Sequence, residues 1–432
     1  MVDDLGYIAD ERILRRLPSI RSLFVEGGVR FTNLFNETPL CCPARAGFLT
    51  GLHTWHHGVT RNNGNRLDPR DTIAVALRAG GYHTLMAGNY LNKVPGDPVP
   101  PGWDRTLIKR RSVPPTFWRN GTSITYRRAF VDDVTRQVAV RWVETAPLDR
   151  PLFAWVASVA PHVCEYRREQ CYVPLVMRRD RGAGQCQGIP DLHPPSYTTI
   201  TNPLEARPMP DWPDGWRMRA VCESLLVVDR MIGEVVEAQA ARGRPAVFVF
   251  MSDNGMSWGQ KGFTFKQTPP SARLPFYVAG TGIAPATTEA LLSLIDVAPT
   301  LADLAGIDLP VADGRSFAPL LAGAPFPGRT ELLEVMPRSR EDGYPGWDGL
   351  RTPGWHFVRW RTGRRELFDL RADPWERANL VAQEPERAAR MEERLDALVA
   401  ASGGPPLAPP PLVDVSSFEG CGYVRPARPV VC

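Results

Sequence analysis

The chain holds 432 residues, 43% hydrophobic and 23% charged, proportions that give room for two or three domains around a large buried core. A formal net charge of +4 without a concentrated basic patch excludes nucleic acid and membrane surfaces as partners, and no apolar run is long enough for a membrane-spanning helix. Arginine supplies nearly all the cations, so Lys93, Lys109, Lys261 and Lys266 each stand out.

The chain opens on Met1-Val2-Asp3-Asp4-Leu5-Gly6-Tyr7. Two adjacent carboxylates repel unless a cation or an arginine neutralises them; alone, the pair reads as solvated. Cys41 then begins Cys41-Cys42-Pro43-Ala44-Arg45, followed by Ala46-Gly47-Phe48-Leu49-Thr50-Gly51. Pro43 suits the first turn of a helix, where a missing N–H costs nothing, and the apolar residues after it continue as a buried helix. Cys41 therefore sits at or just before a helix N-terminus, whose free N–H groups and dipole favour an anion. Arg45, one turn on, adds a planar cationic fork suited to an oxyanion.

Further along, apolar runs alternate with amphipathic stretches, which predicts α/β architecture. A helix over 130–146 leads to a buried strand over 152–159 and then to Ala160-Pro161-His162. Residues 165–217 are rich in Pro, Arg and Gly, lack periodicity, and read as a long surface loop beside the site. The stretch 219–242 is an amphipathic helix with Leu225, Val228, Ile232 and Val235 on one face. It feeds a buried strand over 246–251 that ends at Ser252-Asp253-Asn254-Gly255. Open α/β sheets bind ligands just past the carboxyl ends of such strands. Asp253 and Asn254 with Asp3 and Asp4 make an oxygen-only donor set, which suits Ca2+ or Mg2+ rather than Zn2+.

Residues 285–323 hold a helix and a punctuated loop. Beyond about 326, short strands over 355–360 and 366–370 and a charged helix over 384–401 predict a small α+β unit. The Pro-rich stretch from Gly403 reads as a strap. The expected division is thus 1–325, 326–402 and 403–432. Eight cysteines offer Cys164 with Cys171 and Cys421 with Cys432 as local disulfides, or simply free thiols; disulfides point to the cell exterior.

The Cys41 run resembles the signature of the type I sulfatases, C-x-P-S-R-x-x-x-L-T-G, with Ala44 in place of the serine. The resemblance covers essentially the whole chain. It takes in Asp3-Asp4-Leu5-Gly6, the segment Thr50 to Val59 with His57, Pro161-His162, Ser252-Asp253-Asn254-Gly255, Lys266 with Arg273-Leu274-Pro275, and Asp296-Val297-Ala298-Pro299-Thr300, all in family order. Gly88-Asn89-Tyr90-Leu91-Asn92 with Pro100-Pro101-Gly102-Trp103 is similar to N-acetylglucosamine-6-sulfatase-like members.

The resemblance implies an alkaline-phosphatase-like fold: a large mixed, mainly parallel sheet sandwiched by helices, with a smaller C-terminal α+β domain. It implies a sulfuric ester hydrolase in which a formylglycine-generating enzyme oxidises Cys41 to formylglycine, whose hydrate attacks sulfur. It implies Ca2+, with Mg2+ second, held by Asp3, Asp4, Asp253, Asn254 and the modified Cys41. Arg45, His162 and Lys266 are then catalytic, Asn89 and His57 contact substrate, and the substrate is a sulfated small molecule or glycan. Oligomeric state stays open.

Two positions depart from the family. Asn89 stands where a lysine binds sulfate, and losing a charge-assisted bond to the transferred group costs ~2–4 kcal/mol of transition-state stabilisation. Lys261 stands where G-x-H-G has its histidine. Two rivals therefore stay open, a phosphonate or phosphodiester hydrolase and a non-catalytic sulfoglycan-binding protein. Only Met1 and Val2 precede Asp3, where the family has several apolar strand residues, which predicts an incomplete first strand and poor stability. Location follows the full-length N-terminus: secreted or cell envelope with a signal peptide, cytoplasmic without one.

Overall fold

The computed structural model describes residues 1–7, 10–94, 99–163, 172–197, 199, 212, 214–338 and 345–405. In chain order the strands are β1 (Val29–Phe35), β2 (His83–Gly88), β3 (Arg105–Ser112), β4 (Pro115–Arg119), β5 (Thr122–Thr125), β6 (Leu152–Ala157), β7 (Val247–Met251), β8 (Ser257–Trp258), β9 (Thr264–Phe265), β10 (Arg273–Gly280), β11 (Ala286–Thr288), β12 (Leu292–Ser293), β13 (Leu332–Met336), β14 (Trp347–Arg351), β15 (Trp355–Trp360) and β16 (Arg365–Asp369). The helices are α1 (Asp10–Leu14), α2 (Pro18–Ile20), α3 (Cys41–Thr50), α4 (Thr54–His57), α5 (Ile73–Ala79), α6 (Val131–Glu144), α7 (Arg219–Ala240), α8 (Val297–Ala305), α9 (Ala318–Leu321) and α10 (Pro385–Ala401).

Local chemistry accounts for the elements that matter most to the site. α3 starts at Cys41, as the position of Pro43 predicts, and stops at Gly51, whose φ of 71° is left-handed and meets no Cβ clash in glycine. α6 opens with Asp132 and Asp133 in its first turn, the charge that a helix N-terminus favours. α7 follows its amphipathic pattern and buries Leu225 and Val228.

Two half-sheets form the larger unit. One runs β11-β1-β10-β7, with β12 also against β1; the other runs β5-β4-β3-β2-β6. β2 is parallel to β3 and β6, and β1 is parallel to β11 and β12, while the remaining ladders are antiparallel. Helices cover both faces. Phe48, Ile73 and Val297 from α3, α5 and α8 pack on one side, and Ile13, Ile20 and Leu225 from α1, α2 and α7 on the other. Double coverage is why β2 is buried along its whole length and β10 along all but its end residues.

Met1 and Val2 lie between β6 and β7. The Met1 amine donates to the Val156 carbonyl at 2.9 Å, and Ser158 N–H donates to the Met1 carbonyl at 3.0 Å. Val2 N–H donates to Met251 at 2.8 Å, and Asp253 N–H to Val2 at 3.1 Å. These bonds join the half-sheets at their carboxyl ends and deliver Asp3 and Asp4 there.

The segment after His162 differs from the surface loop expected of it. Leu192 bridges Trp216, Trp216 and Met218 are fully buried, and Cys186 is disulfide-bonded to Cys222 in α7. Proline and glycine erase periodicity here without keeping the segment out of the core. The expected pairs Cys164–Cys171 and Cys421–Cys432 lie outside the described residues, as does nearly all of the strap. Reducing the Cys186–Cys222 bond, whose sequence separation is 36, is expected to cost about 3–4 kcal/mol. A urea midpoint unchanged by reductant would contradict this.

β13 to β16 form an antiparallel meander in sequence order. α10 packs Leu395 against Leu333, Phe357 and Leu367. Elsewhere the same meander meets Leu40 and Phe263 through Met336, Trp347 and Trp360. Val335 N–H donates to the Glu37 carbonyl at 2.7 Å, and Trp347 Nε1 to the Gln267 carbonyl at 2.9 Å. The small unit thereby braces the approaches to both Cys41 and Lys266.

Candidate active site

The site assembles from strand ends and one helix start. Leu40 is extended, Cys41 is the first helical residue, and all of α3 is buried. Asp3 and Asp4 arrive from the Met1–Val2 bridge, and Asp253 and Asn254 follow β7. Asp4, Lys261, Phe265 and Gln267 have φ of 67°, 54°, 62° and 72°, a left-handed backbone that non-glycine residues adopt only where the surroundings over-determine it. Phe265 and Gln267 flank Lys266, and Gln267 N–H is fixed by the Pro39 carbonyl at 2.9 Å. At the end of β2, Gly88 (φ 112°) brings the backbone so close to β6 that a Cβ would lie 1.8 Å from the Ala157 carbonyl oxygen. That approach sets Asn89 at the rim of the cluster.

One hydrogen-bonded cluster unites most of the residues singled out from the sequence. Lys266 Nζ lies 3.0 Å from both Asp4 oxygens, 3.0 Å from Cys41 Sγ and 3.2 Å from His162 Nε2. His162 Nδ1 is 2.7 Å from the Val163 carbonyl, so Nδ1–H donates there and Nε2 is left to accept from Lys266. Cys41 Sγ is 3.6 Å from Asp3 Oδ1. Arg45 donates through Nε to Asp253 at 2.9 Å, and its Nη2 lies 2.8 Å from Asp253 and 3.1 Å from Asp3. Its Nη1 donates to the carbonyls of Asn89 and Tyr90. Asn89 Nδ2 donates to Asp3 at 2.5 Å, and Asn254 Nδ2 to Asp4 at 2.6 Å.

The electrostatics follow from burial. Desolvation pushes the Cys41 thiol well up and Asp3 adds to it, with only Lys266 opposing; a thiol so held is a poor thiolate. Burial works against the charge on Lys266, yet the carboxylates of Asp4 and Asp3 outweigh it and keep it an ammonium. Arg45 is likewise driven up by Asp253 and Asp3 against its own desolvation. The Asp253 carboxyl is raised by burial and by Asp3, against Arg45 and Lys266.

A hard divalent cation fits these residues. Ligand atoms of Asp3, Asp4 and Cys41 lie within 4.8 Å of one another, and Asn254 Oδ1 is buried without a hydrogen-bond partner. An orphaned carbonyl oxygen beside buried carboxylates is an unmet demand for positive charge. Carboxylate and amide oxygens suit Ca2+ or Mg2+.

His57 stands apart. Its Nδ1 accepts from Val59 N–H at 3.1 Å, and burial pushes the ring down to about 4, so it is a neutral support for the α4 turn. Lys261 also has other work. Its ammonium lies 3.1 Å from Glu376 and 3.6 Å from Glu366, over the Phe368 ring at 3.9 Å. It ties the loop before Lys266 to the C-terminal unit, which is how a lysine is accommodated where the family pattern has histidine.

Asp132 is a positioning residue that sequence reasoning missed. Its carboxylate accepts from Val159 and Ala160 N–H at 2.6 and 3.0 Å, fixing the backbone that leads into His162. Burial raises it to about 6, against those two bonds. Its only sequence signal is the acidic pair at the start of α6, which reads equally well as a helix preference.

Comparison with known proteins agrees with this geometry. The family described as Sulfatase matches residues 1–307, and the one described as N-sulphoglucosamine sulphohydrolase, C-terminal, matches residues 256–401. The extracellular sulfatase SULF-1 homolog of Drosophila melanogaster is 27% identical over 343 residues, 71% of this chain and 30% of that protein. The choline-sulfatase of Rhizobium meliloti is 28% identical over 404 residues, 84% of this chain and 77% of that protein. The chain thus spans under a third of the first relative and about three quarters of the second. A protein solved in complex with its substrate D-glucosamine-2-N,6-O-disulfate shares the fold with a TM-score of 0.77 at 20% identity, covering 93% of this chain and 97% of that one.

Proposed function

The chain belongs to the sulfatase family, and from that premise we propose that it hydrolyses the sulfate ester of a sulfated sugar, with Cys41 acting as formylglycine beside a calcium ion. The observation that carries this reading is the convergence of a buried, protonated thiol with Lys266, Arg45 and the carboxylates of Asp3, Asp4 and Asp253 at the start of α3. Such a thiol is a poor nucleophile, so residue 41 acts after a formylglycine-generating enzyme has modified it. As formylglycine it supplies, through its aldehyde hydrate, an oxygen nucleophile for sulfur and a second hydroxyl whose collapse expels sulfate. Calcium, for which Mg2+ is the lesser substitute, would be held by Asp3, Asp4, Asp253, Asn254 and the modified residue 41, and it supplies Lewis acidity toward the sulfate oxygens.

The chain's own side chains do the rest. Arg45 locks Asp3 and Asp253 in place and brings positive charge to the site. Lys266, held as an ammonium by Asp4, donates a proton to the departing alcohol, and His162 Nε2, 3.2 Å away, takes part in returning it. Asn89 contributes a neutral donor where charge would bind sulfate more strongly. The run from Gly88 to Asn92 and the solved neighbour's sugar substrate support a sugar, and the choline-sulfatase names the competing substrate. The Cys186–Cys222 disulfide supports an oxidising compartment, cell envelope or exterior.

Chelation tests the reading. Stripping divalent cations is expected to abolish turnover of glucosamine 6-sulfate. Calcium at a hundredfold its Kd is expected to return activity together with about 2.7 kcal/mol of stability. Full turnover after chelation, or an intact thiol at Cys41 by peptide mass spectrometry of active protein, would sink it. Turnover of choline sulfate but no sulfated sugar would overturn the substrate class alone.

A further inference from the structure

Residues 105–131 carry seven Lys and Arg and no Asp or Glu, a concentration that the net charge of +4 for the whole chain conceals. The fold sorts these cations. β4 runs back from β3, and β5 returns parallel to β3. Lys109, Arg110 and Arg111 in the last turn of β3 therefore meet Arg127 and Arg128, which follow β5, at the carboxyl end of the sheet. Tyr126 N–H donates to the Pro115 carbonyl at 2.8 Å and closes the gap between the two groups. A concentrated basic patch is thus present, contrary to the even spread expected from composition.

This rim adjoins the reacting centre. β3 is parallel to β2, so its end lies beside Asn89, which follows β2. Ser112 at the end of β3 and Phe130 just after Arg128 line, with His162, a pocket of about 20 Å3. Arg110 is the extra residue of a bulge, between Lys109 opposite Phe117 and Arg111 opposite Thr116. A bulge re-aims a side chain, and this one sets the guanidinium 4.9 Å from the centre of the Trp118 ring. Arg110, Arg111, Arg127 and Arg128 are exposed, and Lys109 is half-buried. Among the described residues none of the five has a carboxylate partner, although Arg136, Arg179 and Arg230 each hold one. The two carboxylates that open α6 are committed, Asp132 to the N–H groups of Val159 and Ala160 and Asp133 to Arg136 and Arg179. Like charges gathered without counter-ions leave a standing positive potential over the rim.

We propose that this rim is a second anion subsite: it takes the non-reacting sulfates or carboxylates of a sulfated glycan chain while one sulfate ester lies at Cys41, and it rests on the reading of Cys41 given above. Across β2, β3, β4 and β5 the rim reaches about 14 Å from Asn89, beyond a single hexose ring. The favoured substrate is therefore an oligosaccharide with several sulfates rather than a lone monosulfated sugar. Choline sulfate, whose alcohol is a cation, is disfavoured by the same potential. A sulfated glycan fits better than a nucleic acid because the rim runs into the Cys41 site, to which a nucleic acid brings no sulfate ester.

Binding to the Cys41→Ala chain separates the rim from the chemistry. With a heparin tetrasaccharide as probe, changing Arg111, Arg127 and Arg128 together to Gln is expected to raise Kd at least about tenfold. The three side chains are exposed, so the fold is not at risk. Changing the same three to Lys is expected to recover most of the affinity, because a diffuse potential needs charge more than a planar fork. Parental binding is expected to weaken as NaCl rises from about 50 to 300 mM, and binding by the Gln variant to change less. With Cys41 intact, the preference in kcat/KM for the tetrasaccharide over glucosamine 6-sulfate is expected to fall by a similar factor in the Gln variant, chiefly through KM. A Kd unchanged by the Gln substitutions overturns the proposal. Equal affinity for single-stranded DNA of matched charge makes the rim a general polyanion surface and overturns its assignment to a glycan. Rim-dependent binding of the tetrasaccharide by a chain that turns over no sulfate ester supports the subsite and overturns the reading of Cys41 instead.

Discussion

Cys41→Ala is expected to lower sulfate-ester turnover by at least about 10⁴-fold, to the level of a heat-inactivated control, while Tm stays within a few degrees of the parent. The activity falls because no other group at the start of α3 can replace the nucleophile. Lys266 is held as an ammonium by Asp4, and Asp3 and Asp253 are engaged with Arg45. The fold survives because truncating one thiol leaves only a small cavity, and Lys266 keeps its bonds to Asp4 and His162. The measurement is turnover of a sulfated sugar and of an aryl sulfate, set beside thermal melting. A variant that keeps more than about a tenth of parental turnover contradicts the assignment. A parent chain no faster than Cys41→Ala would instead favour a sulfoglycan-binding protein, and one that prefers aryl phosphate diesters would favour the phosphohydrolase reading.

Arg45→Ala is expected to damage folding and activity together. Arg45 is 1% exposed and lies between Asp3 and Asp253, themselves 1% and 0% exposed. Removing one partner of a buried charged set leaves the others uncompensated, at a cost of about 3–5 kcal/mol. Arg45→Lys restores charge but cannot bond Asp3, Asp253 and the carbonyls of Asn89 and Tyr90 at once, so it is expected to recover only part of the stability. Calcium is expected to narrow the deficit of Arg45→Ala, because a bound cation relieves the same carboxylates. Melting of both variants with and without calcium checks this. An Arg45→Ala chain that melts with the parent would contradict the buried pairing.

The parts of the site written in local chemistry were legible in the sequence. Cys41 at a helix start is announced by Pro43, and the Asp253-Asn254 pair by the apolar run before it. Asp3 and Asp4 became meaningful only once a second set of oxygen donors was found. His162 and Lys266 carried no local signal, and family resemblance alone singled them out. What stayed hidden depends on bonds between distant segments. Asp132 acts on residues 159 and 160, Cys186 pairs across 36 residues, and Lys261 finds its counter-ion in Glu376. His57, by contrast, keeps the family spacing yet serves its own turn.

The bracing of the site by β13 to β16 bears on how far this protein can be taken apart. The chain passes from one unit to the next near residue 326, but the energetic seam lies elsewhere. A fragment ending there would contain every residue of the cluster. It would lack Glu366, Glu376 and the Phe368 ring, so the Lys261 ammonium would lose the partners that fix it, and it would lay bare Leu40 and Phe263, which precede Cys41 and Lys266. The unit that holds the cluster in place therefore extends through α10, and the meander is a buttress of the site rather than a detachable appendage.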